Sequence, residues 1–265
     1  MTVVRLEARP PFDGAAILDF LAARAVPGVE SVVGSVYERA GVSVTVGDDG
    51  IEAAVEPGVD REAAATRIRR LFDLDANAAA IDAALAGDPA MAPLVEATPG
   101  VRVPGAWDGF EVAVRAVVGQ QVTVAAARTL LGRIVARCDG SGFPDAAAIV
   151  AADLDRLGMP GARVRTLRSL AEAVVRGEIS FDGSIRRDDT VAALLNVRGI
   201  GPWTASYIAM RALGDSDAFP VADVGVRAGA ARLGLPVEPA ALLARAETWR
   251  PWRSYATVRL WRSLG

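Results

Sequence analysis

The stretch LLNVRGIGPWTASYIAMRALGDSDAFPVADVGVR, residues 194–227, carries the reading of the whole chain. One helix runs into it, a glycine-rich turn reverses the chain, and a second helix leaves it. Gly199 and Gly201 give the turn the backbone freedom it needs. Pro202 suits the first position of the next helix, where its missing N–H would have had no intrahelical partner. Such a turn presents bare N–H groups at a helix N-terminus, and a DNA phosphate is an anion that fits them. By spacing alone, an ordinary tight helix-to-helix connection reads the same. Asp223 stands 24 residues beyond Gly199, where FPVADVGVR looks like an extended stretch entering a helix. An N-cap is the local reading of that aspartate, and capping leaves it free for chemistry. Asp215 and Asp217 read as solvated loop acids.

Downstream and upstream of this segment the patterns differ. From Asp108 to the end, nearly every segment has helical periodicity: FEVAVRAVVGQQ, VTVAAARTLLGRIVARC, ARVRTLRSLAEAVVRG, DTVAALLN, PWTASYIAMRAL and WRSYATVRLWRSL, separated by short turns with Gly or Pro. The first hundred residues instead mix β-like runs (3–8, 35–40, 42–46 and 51–55) with two helices that Asp13 and Asp60 can cap. Pro and Gly concentrate in ATPGVRVPGAW, residues 97–107, which places a boundary near Pro99. The expected organisation is an α+β domain over 1–98 and an all-α domain over 99–265.

Composition narrows the chemistry. The chain has 265 residues, 52% of them hydrophobic, enough for a sizeable core. It holds no histidine and no lysine, and all 29 basic residues are arginine. That removes histidine-based nucleophiles, histidine metal sites, Schiff-base amines and a P-loop lysine, leaving carboxylates as the obvious acid and base groups. The single cysteine, Cys138, cannot form an intrachain disulfide or a cysteine metal cluster and reads as a small core residue. The net charge of −3 hides an asymmetry, because residues 1–98 hold 8 Arg against 16 acids and residues 99–265 hold 21 against 16. A basic second part suits a polyanion, although arginines that merely solvate helix faces give the same count. With no apolar run near the roughly 20 residues that span a bilayer and no signal-like N-terminus, the expected compartment is the cytoplasm.

VRGIGPWTA followed by Asp223 resembles the hairpin and catalytic aspartate of the helix-hairpin-helix superfamily of base-excision glycosylases. The likeness is to its DNA-3-methyladenine glycosylase II, or AlkA, type. PPFDGAAILDFLAARAVPGVE, RLFDLDAN, RVPGAWDGFEVAVRAVVGQ, LGMP and RPWRSYA extend it over nearly the whole chain. The resemblance implies an N-terminal domain like half of the TATA-box protein fold, then a helical hairpin domain with a cleft faced by Asp223. It also implies a sodium or potassium ion held at the hairpin by main-chain oxygens of Leu195, Val197 and Ile200, and no cofactor required for catalysis. A glycosylase flips its target base out of the stack, and the resemblance assigns Trp203, Tyr207 and Trp261 as the aromatic faces that receive it. Trp203 and Tyr207 also share a helix face by their i, i+4 spacing, while Trp249 and Trp252 read as structural.

Several functional expectations follow from the resemblance. The partner is double-stranded DNA with alkylated bases, read by a monomeric bacterial enzyme found with the nucleoid. The DNA contacts are Gly199, Gly201, Gln120 and Gln121. Gln121 stands where the family's best-known member has a leucine wedge, and a glutamine could fill the vacated stack and hydrogen-bond the orphaned base. Ala222 replaces a second acid beside Asp223, so one carboxylate serves the step. Trp203 occupies the region where strand-cleaving superfamily members carry a lysine, so the expected product is an abasic site in an intact strand.

Overall fold

The computed structural model describes residues 1–138, 140 and 142–265. The N-terminal portion is an antiparallel five-stranded sheet in the order β1-β5-β4-β3-β2, formed by β1 (Thr2–Glu7), β2 (Glu30–Val33), β3 (Val36–Arg39), β4 (Val42–Gly47) and β5 (Gly50–Val55). The alternation in VSVTV and IEAAV explains the sheet's buried side, because Val42, Val44, Ile51, Ala53 and Val55 all face inward. Two helices cover that side, α1 (Gly14–Arg24) between β1 and β2, and α2 (Arg61–Leu71) after β5. Asp13 caps α1 through the Ala16 N–H, and Asp60 caps α2 through the Glu62 and Ala63 N–H groups. β2 is the strand that period-2 patterning misses: it is four residues long, lies at the sheet edge and has no fully buried residue.

Eleven further helices complete the described chain. They are α3 (Ala78–Ala86), α4 (Ala92–Ala97), α5 (Gly109–Val118), α6 (Val124–Arg137), α7 (Ala146–Ala151), α8 (Gly161–Val175), α9 (Arg187–Asn196), α10 (Pro202–Ala212), α11 (Val224–Arg232), α12 (Pro239–Ala246) and α13 (Arg253–Arg262). A single 3₁₀ turn, Glu247–Trp249, lies between α12 and α13. These helices close over two apolar clusters. One gathers α5 to α9, and the other gathers α11 to α13 with Ile81 and Leu85 of α3. Although α3 precedes Pro99 in the chain, its apolar face is thus part of the helical core. Each large aliphatic side chain buried there contributes about 1.5–3 kcal/mol.

α10 joins the two clusters. Ala205, Ile208 and Ala212 pack into the first, while Ala209 and Met210 pack into the second. The sheet portion is tied to α5 by a buried quartet of charges, in which Arg39 and Arg115 each pair with Glu30 and with Glu111. Every member of the quartet has two partners, which offsets the large cost of taking charges from water. Between these parts opens a cleft of about 850 Å³, walled by α1, α5, α10, the start of α11 and α13.

Candidate active site

The hairpin forms where α9 ends at Asn196 and α10 starts at Pro202. Gly199 is required here twice over: its φ is +96°, and a Cβ would lie 2.1 Å from the Thr166 hydroxyl. That hydroxyl stands 3.0 Å from the Arg198 carbonyl and so pins the turn to α8. Gly201 differs from the sequence expectation, since its φ of −95° is open to any residue and nothing lies within 4 Å of where its Cβ would be. Its contribution is a bare, exposed approach to the N-terminus of α10. Among the described residues no side chain caps α10, so its first N–H groups have no side-chain acceptor.

The main-chain oxygens expected to hold a monovalent ion lie in this turn. The Val197 carbonyl accepts from the Ile200 N–H at 3.0 Å, and the Leu195 and Ile200 carbonyls accept no hydrogen bond among the described residues. Three neutral carbonyls with lone pairs to spare fit a sodium or potassium ion.

Asp223 caps α11, its Oδ1 accepting the Val226 N–H at 3.0 Å. The same carboxylate takes two indole N–H bonds, from Trp261 Nε1 to Oδ1 at 2.8 Å and from Trp203 Nε1 to Oδ2 at 2.9 Å. Trp203 comes from the first turn of α10 and Trp261 from the last turn of α13, so the carboxylate's position is fixed by elements far apart in sequence. Gly225 allows this approach, because a Cβ there would lie 2.9 Å from the Trp261 ring. Among the described residues no arginine pairs with Asp223. Its donors are neutral, so its negative charge stays available to the cleft.

The three expected aromatics stand together in the cleft wall. Trp203 stacks on Tyr207 with centroids 5.7 Å apart and planes at 24°, and Tyr207 meets Trp261 at 6.2 Å and 46°. The sequence reading missed three further cleft residues: Phe20 and Arg24 of α1, and Arg211 of α10. Arg24 lies 3.7 Å and Arg211 4.6 Å from the Phe20 ring centroid. Arg211 was within reach of pattern reasoning, since it falls four residues after Tyr207. Phe20 and Arg24 were not, because only tertiary packing brings α1 to the cleft. Arg211 donates to the Pro104 and Gly105 carbonyls and, at 3.0 Å, to the Tyr207 hydroxyl. Burial pushes the Tyr207 phenol up, but the Arg211 and Arg24 guanidiniums outweigh it and leave the group below the ordinary tyrosine value. Burial likewise draws Arg24 below the usual arginine range.

The two glutamines part ways. Gln120 Nε2 donates to the Gly199 carbonyl at 3.0 Å and to the Thr204 hydroxyl at 2.9 Å, so its amide braces the hairpin from within. Gln121, with φ +56°, is exposed at the tip between α5 and α6. Two acids also depart from expectation. Asp217 is held by Arg250 and Arg253, and Asp215 meets Arg187 at 3.3 Å, so both are ion-paired and not simply solvated. Trp249 is buried, with its indole donating to Asp88 at 2.8 Å, as a structural residue would be.

Comparison with known proteins places this geometry. Residues 3–108 match the family described as the AlkA N-terminal domain, and residues 114–254 match the HhH-GPD superfamily base excision DNA repair protein. The chain is 40% identical over 281 residues to a probable bifunctional transcriptional activator/DNA repair enzyme AlkA of Mycobacterium tuberculosis, a match that covers 98% of this chain and 57% of that protein. The chain therefore spans little more than half the length of that relative. It is 35% identical over 282 residues to DNA-3-methyladenine glycosylase 2 of Escherichia coli K12, covering 97% of this chain and 96% of the relative. Among solved structures, a 3-methyladenine DNA-glycosylase from Archaeoglobus fulgidus shares the fold, with TM-score 0.81 and 22% identity over 97% of each chain.

Proposed function

The chain belongs to the HhH-GPD superfamily of base-excision DNA repair proteins, with an AlkA-type N-terminal domain, and from that premise we propose that it is a monofunctional DNA glycosylase that removes alkylated purines such as 3-methyladenine and 7-methylguanine. The observation that carries this reading is Asp223, an unpaired carboxylate held by two indoles whose rings wall the cleft. Breaking the glycosidic bond of a purine nucleotide concentrates positive charge on the sugar. A fixed carboxylate beside that charge stabilises the transition state more than the ground state. Asp223 would also orient the attacking water.

DNA enters this scheme through its backbone. The uncapped N-terminus of α10 and the bare surface at Gly201 suit a phosphate. A monovalent ion held by Leu195, Val197 and Ile200 carbonyls would add positive charge there. Gln121, exposed in a left-handed turn, suits the gap left by the flipped nucleotide, and Gln120 keeps the hairpin in register beside it. The extruded base then lies against Trp203, Tyr207 and Trp261, whose faces favour electron-poor, cationic rings.

The same premise sets the product. No lysine amine exists in the chain, so a covalent sugar adduct and strand scission are not expected. The enzyme would act as a monomer on double-stranded DNA in the bacterial cytoplasm, with no cofactor required for the chemistry; no helix among the described residues is long and apolar enough to cross a membrane. The test is incubation with methylated duplex DNA and chromatography of the released bases. Free 3-methyladenine and 7-methylguanine, intact strands with alkali-labile sites, and no adduct after borohydride reduction are the expected results. Preferred release of uracil or 8-oxoguanine would refute the substrate assignment.

A further inference from the structure

Three segments of the chain hold no acid: residues 112–138, 156–171 and 190–214 carry ten arginines and neither aspartate nor glutamate, in a molecule with 32 acids and a net charge of −3. The fold brings the three together. Thr166 of α8 bonds to the Arg198 carbonyl of the hairpin at 3.0 Å, Gln120 at the tip between α5 and α6 donates to the Gly199 carbonyl, and Arg163 Nη2 of α8 donates to the Gln120 carbonyl at 2.5 Å. The tip, the hairpin and the start of α8 therefore make one surface outside the cleft. Arg165 and Arg198 are exposed on it and, among the described residues, their guanidiniums have no carboxylate or other hydrogen-bond partner. Arg133, also exposed, spends one N–H on the Leu157 carbonyl at 2.8 Å, just before α8, and has no acid beside it among the described residues. Exposed arginines elsewhere, such as Arg5, Arg176 and Arg250, rest on carboxylates. Arginines that only solvate a helix face alternate with acids, whereas a face of one sign builds a field that draws a polyanion.

We propose that Arg133, Arg165 and Arg198 form a strip that holds the phosphodiester backbone of duplex DNA past the phosphate contact at Gly201 and α10, with Arg163 as the positioning residue that joins the strip to the Gln120–Gln121 tip. The proposal rests on the DNA-glycosylase reading and extends its DNA footprint from the hairpin onto the first turns of α8. Duplex DNA carries one negative charge per about 1.7 Å of its axis, so cations on neighbouring elements can meet successive phosphates, which a single small anion could not do. Arg165 and Arg198 are fixed relative to each other, because Thr166, next to Arg165, is the residue bonded to the Arg198 carbonyl. Arg165 also folds back along α8, its Nη1 lying 3.5 Å from where a Gly161 Cβ would stand. Each guanidinium can only donate, and phosphate oxygens supply acceptors. Contacts of this kind carry no sequence information, so they would act on undamaged DNA as well as at a lesion.

The experiment titrates a labelled, lesion-free duplex with wild type, Arg165→Gln with Arg198→Gln in one chain, and Arg61→Gln, at a series of salt concentrations. Arg61 is the control, an exposed arginine at the start of α2 with no carboxylate partner among the described residues and no place on the strip. Each phosphate contact adds about 0.9 to the slope of log affinity against log salt, so the double variant should bind more weakly at low salt and lose about 2 from the slope. Arg61→Gln should keep the wild-type slope. Thermal melting checks that each chain is folded, and if the double variant is not, Arg165→Gln alone should lose about 1. An unchanged slope overturns the inference, and so does an equal fall in Arg61→Gln, which would reduce the effect to net charge. Release of 7-methylguanine by wild type, measured alongside, separates this inference from the reading beneath it. Release with an unchanged slope leaves the glycosylase reading intact without the strip, whereas a lowered slope with no release upholds the strip and sinks the substrate assignment. A wild type that neither binds the duplex nor releases the base overturns both.

Discussion

Asp223 satisfies three N–H donors with one carboxylate, one from the backbone of α11 and two from indoles that begin on different helices. On the proposed reading, Trp203 and Trp261 would do two things at once, offering a ring face to the base and an N–H to the Asp223 carboxylate. Trp203→Phe separates them, because it keeps an aromatic face and loses the bond to Oδ2. A hydrogen bond to a charged acceptor is worth about 1.5–3 kcal/mol, so base release should slow by about tenfold or more while melting changes little. Single-turnover rates alongside a thermal melt check this, and wild-type release would show that the indole N–H does not position Asp223. A second carboxylate acts on stability instead. Burial pushes Asp73 up to about 6, against the bonds it accepts from the Tyr255 hydroxyl at 2.9 Å and the Val103 N–H at 3.2 Å. Between its ordinary value near 4 and about 6 the folded chain binds more protons than the unfolded one, so this group's contribution to stability falls as pH rises through that window. Asp73→Asn keeps an acceptor and tolerates the residue's φ of +51°. It should raise the melting temperature at pH 7–8 by several degrees, from about 1–2 kcal/mol, and flatten the melting profile between pH 4 and 6. An unchanged profile would contradict this account of Asp73.

At the scale of elements, the hairpin shows that its two glycines are not equivalent. Gly199 combines a positive φ with contact against Thr166, whereas Gly201 has neither constraint. Gly199→Ala should lower stability by about 2–4 kcal/mol and cost DNA affinity through loss of the turn. Gly201→Ala should leave melting nearly unchanged and still weaken binding, because a methyl group would stand where the proposed phosphate contact would form. Melting curves and DNA titrations on the two variants distinguish fold from contact, and equal effects would remove the distinction. The elements themselves were mostly legible. Aspartates 13, 60 and 223 announced helix starts that the structure confirms through their caps. Alternation located three of the five strands closely, β3, β4 and β5, and β1 within a residue, but not the short edge strand β2. The aromatic side of the cleft was legible because Trp203 and Tyr207 lie one turn apart. The cationic side was not, because Phe20 and Arg24 reach the cleft only through the packing of α1 against the helical portion. Nor could spacing show that Gln120 turns its amide inward to the hairpin.

In the whole molecule, charge and packing divide differently along the chain. The acidic first 98 residues include α3, whose apolar face completes the helical core, and they contribute Arg24 to the cleft. The quartet of Arg39, Arg115, Glu30 and Glu111 locks the sheet to α5, and α1 meets α10 at the cleft through Phe20 and Arg211. In the proposed reaction, preorganisation of this kind would let Asp223 act without reorganising as the sugar becomes charged. The most direct test is single-turnover release of 7-methylguanine from duplex DNA by wild type and Asp223→Asn, with DNA binding measured on the same samples. Asparagine keeps the N-cap and one oxygen but removes the charge. Release by the variant should fall by about 10²–10³-fold or more with binding retained. A variant that releases the base within a fewfold of wild type would contradict the assignment of Asp223 and, with it, the account of this cleft.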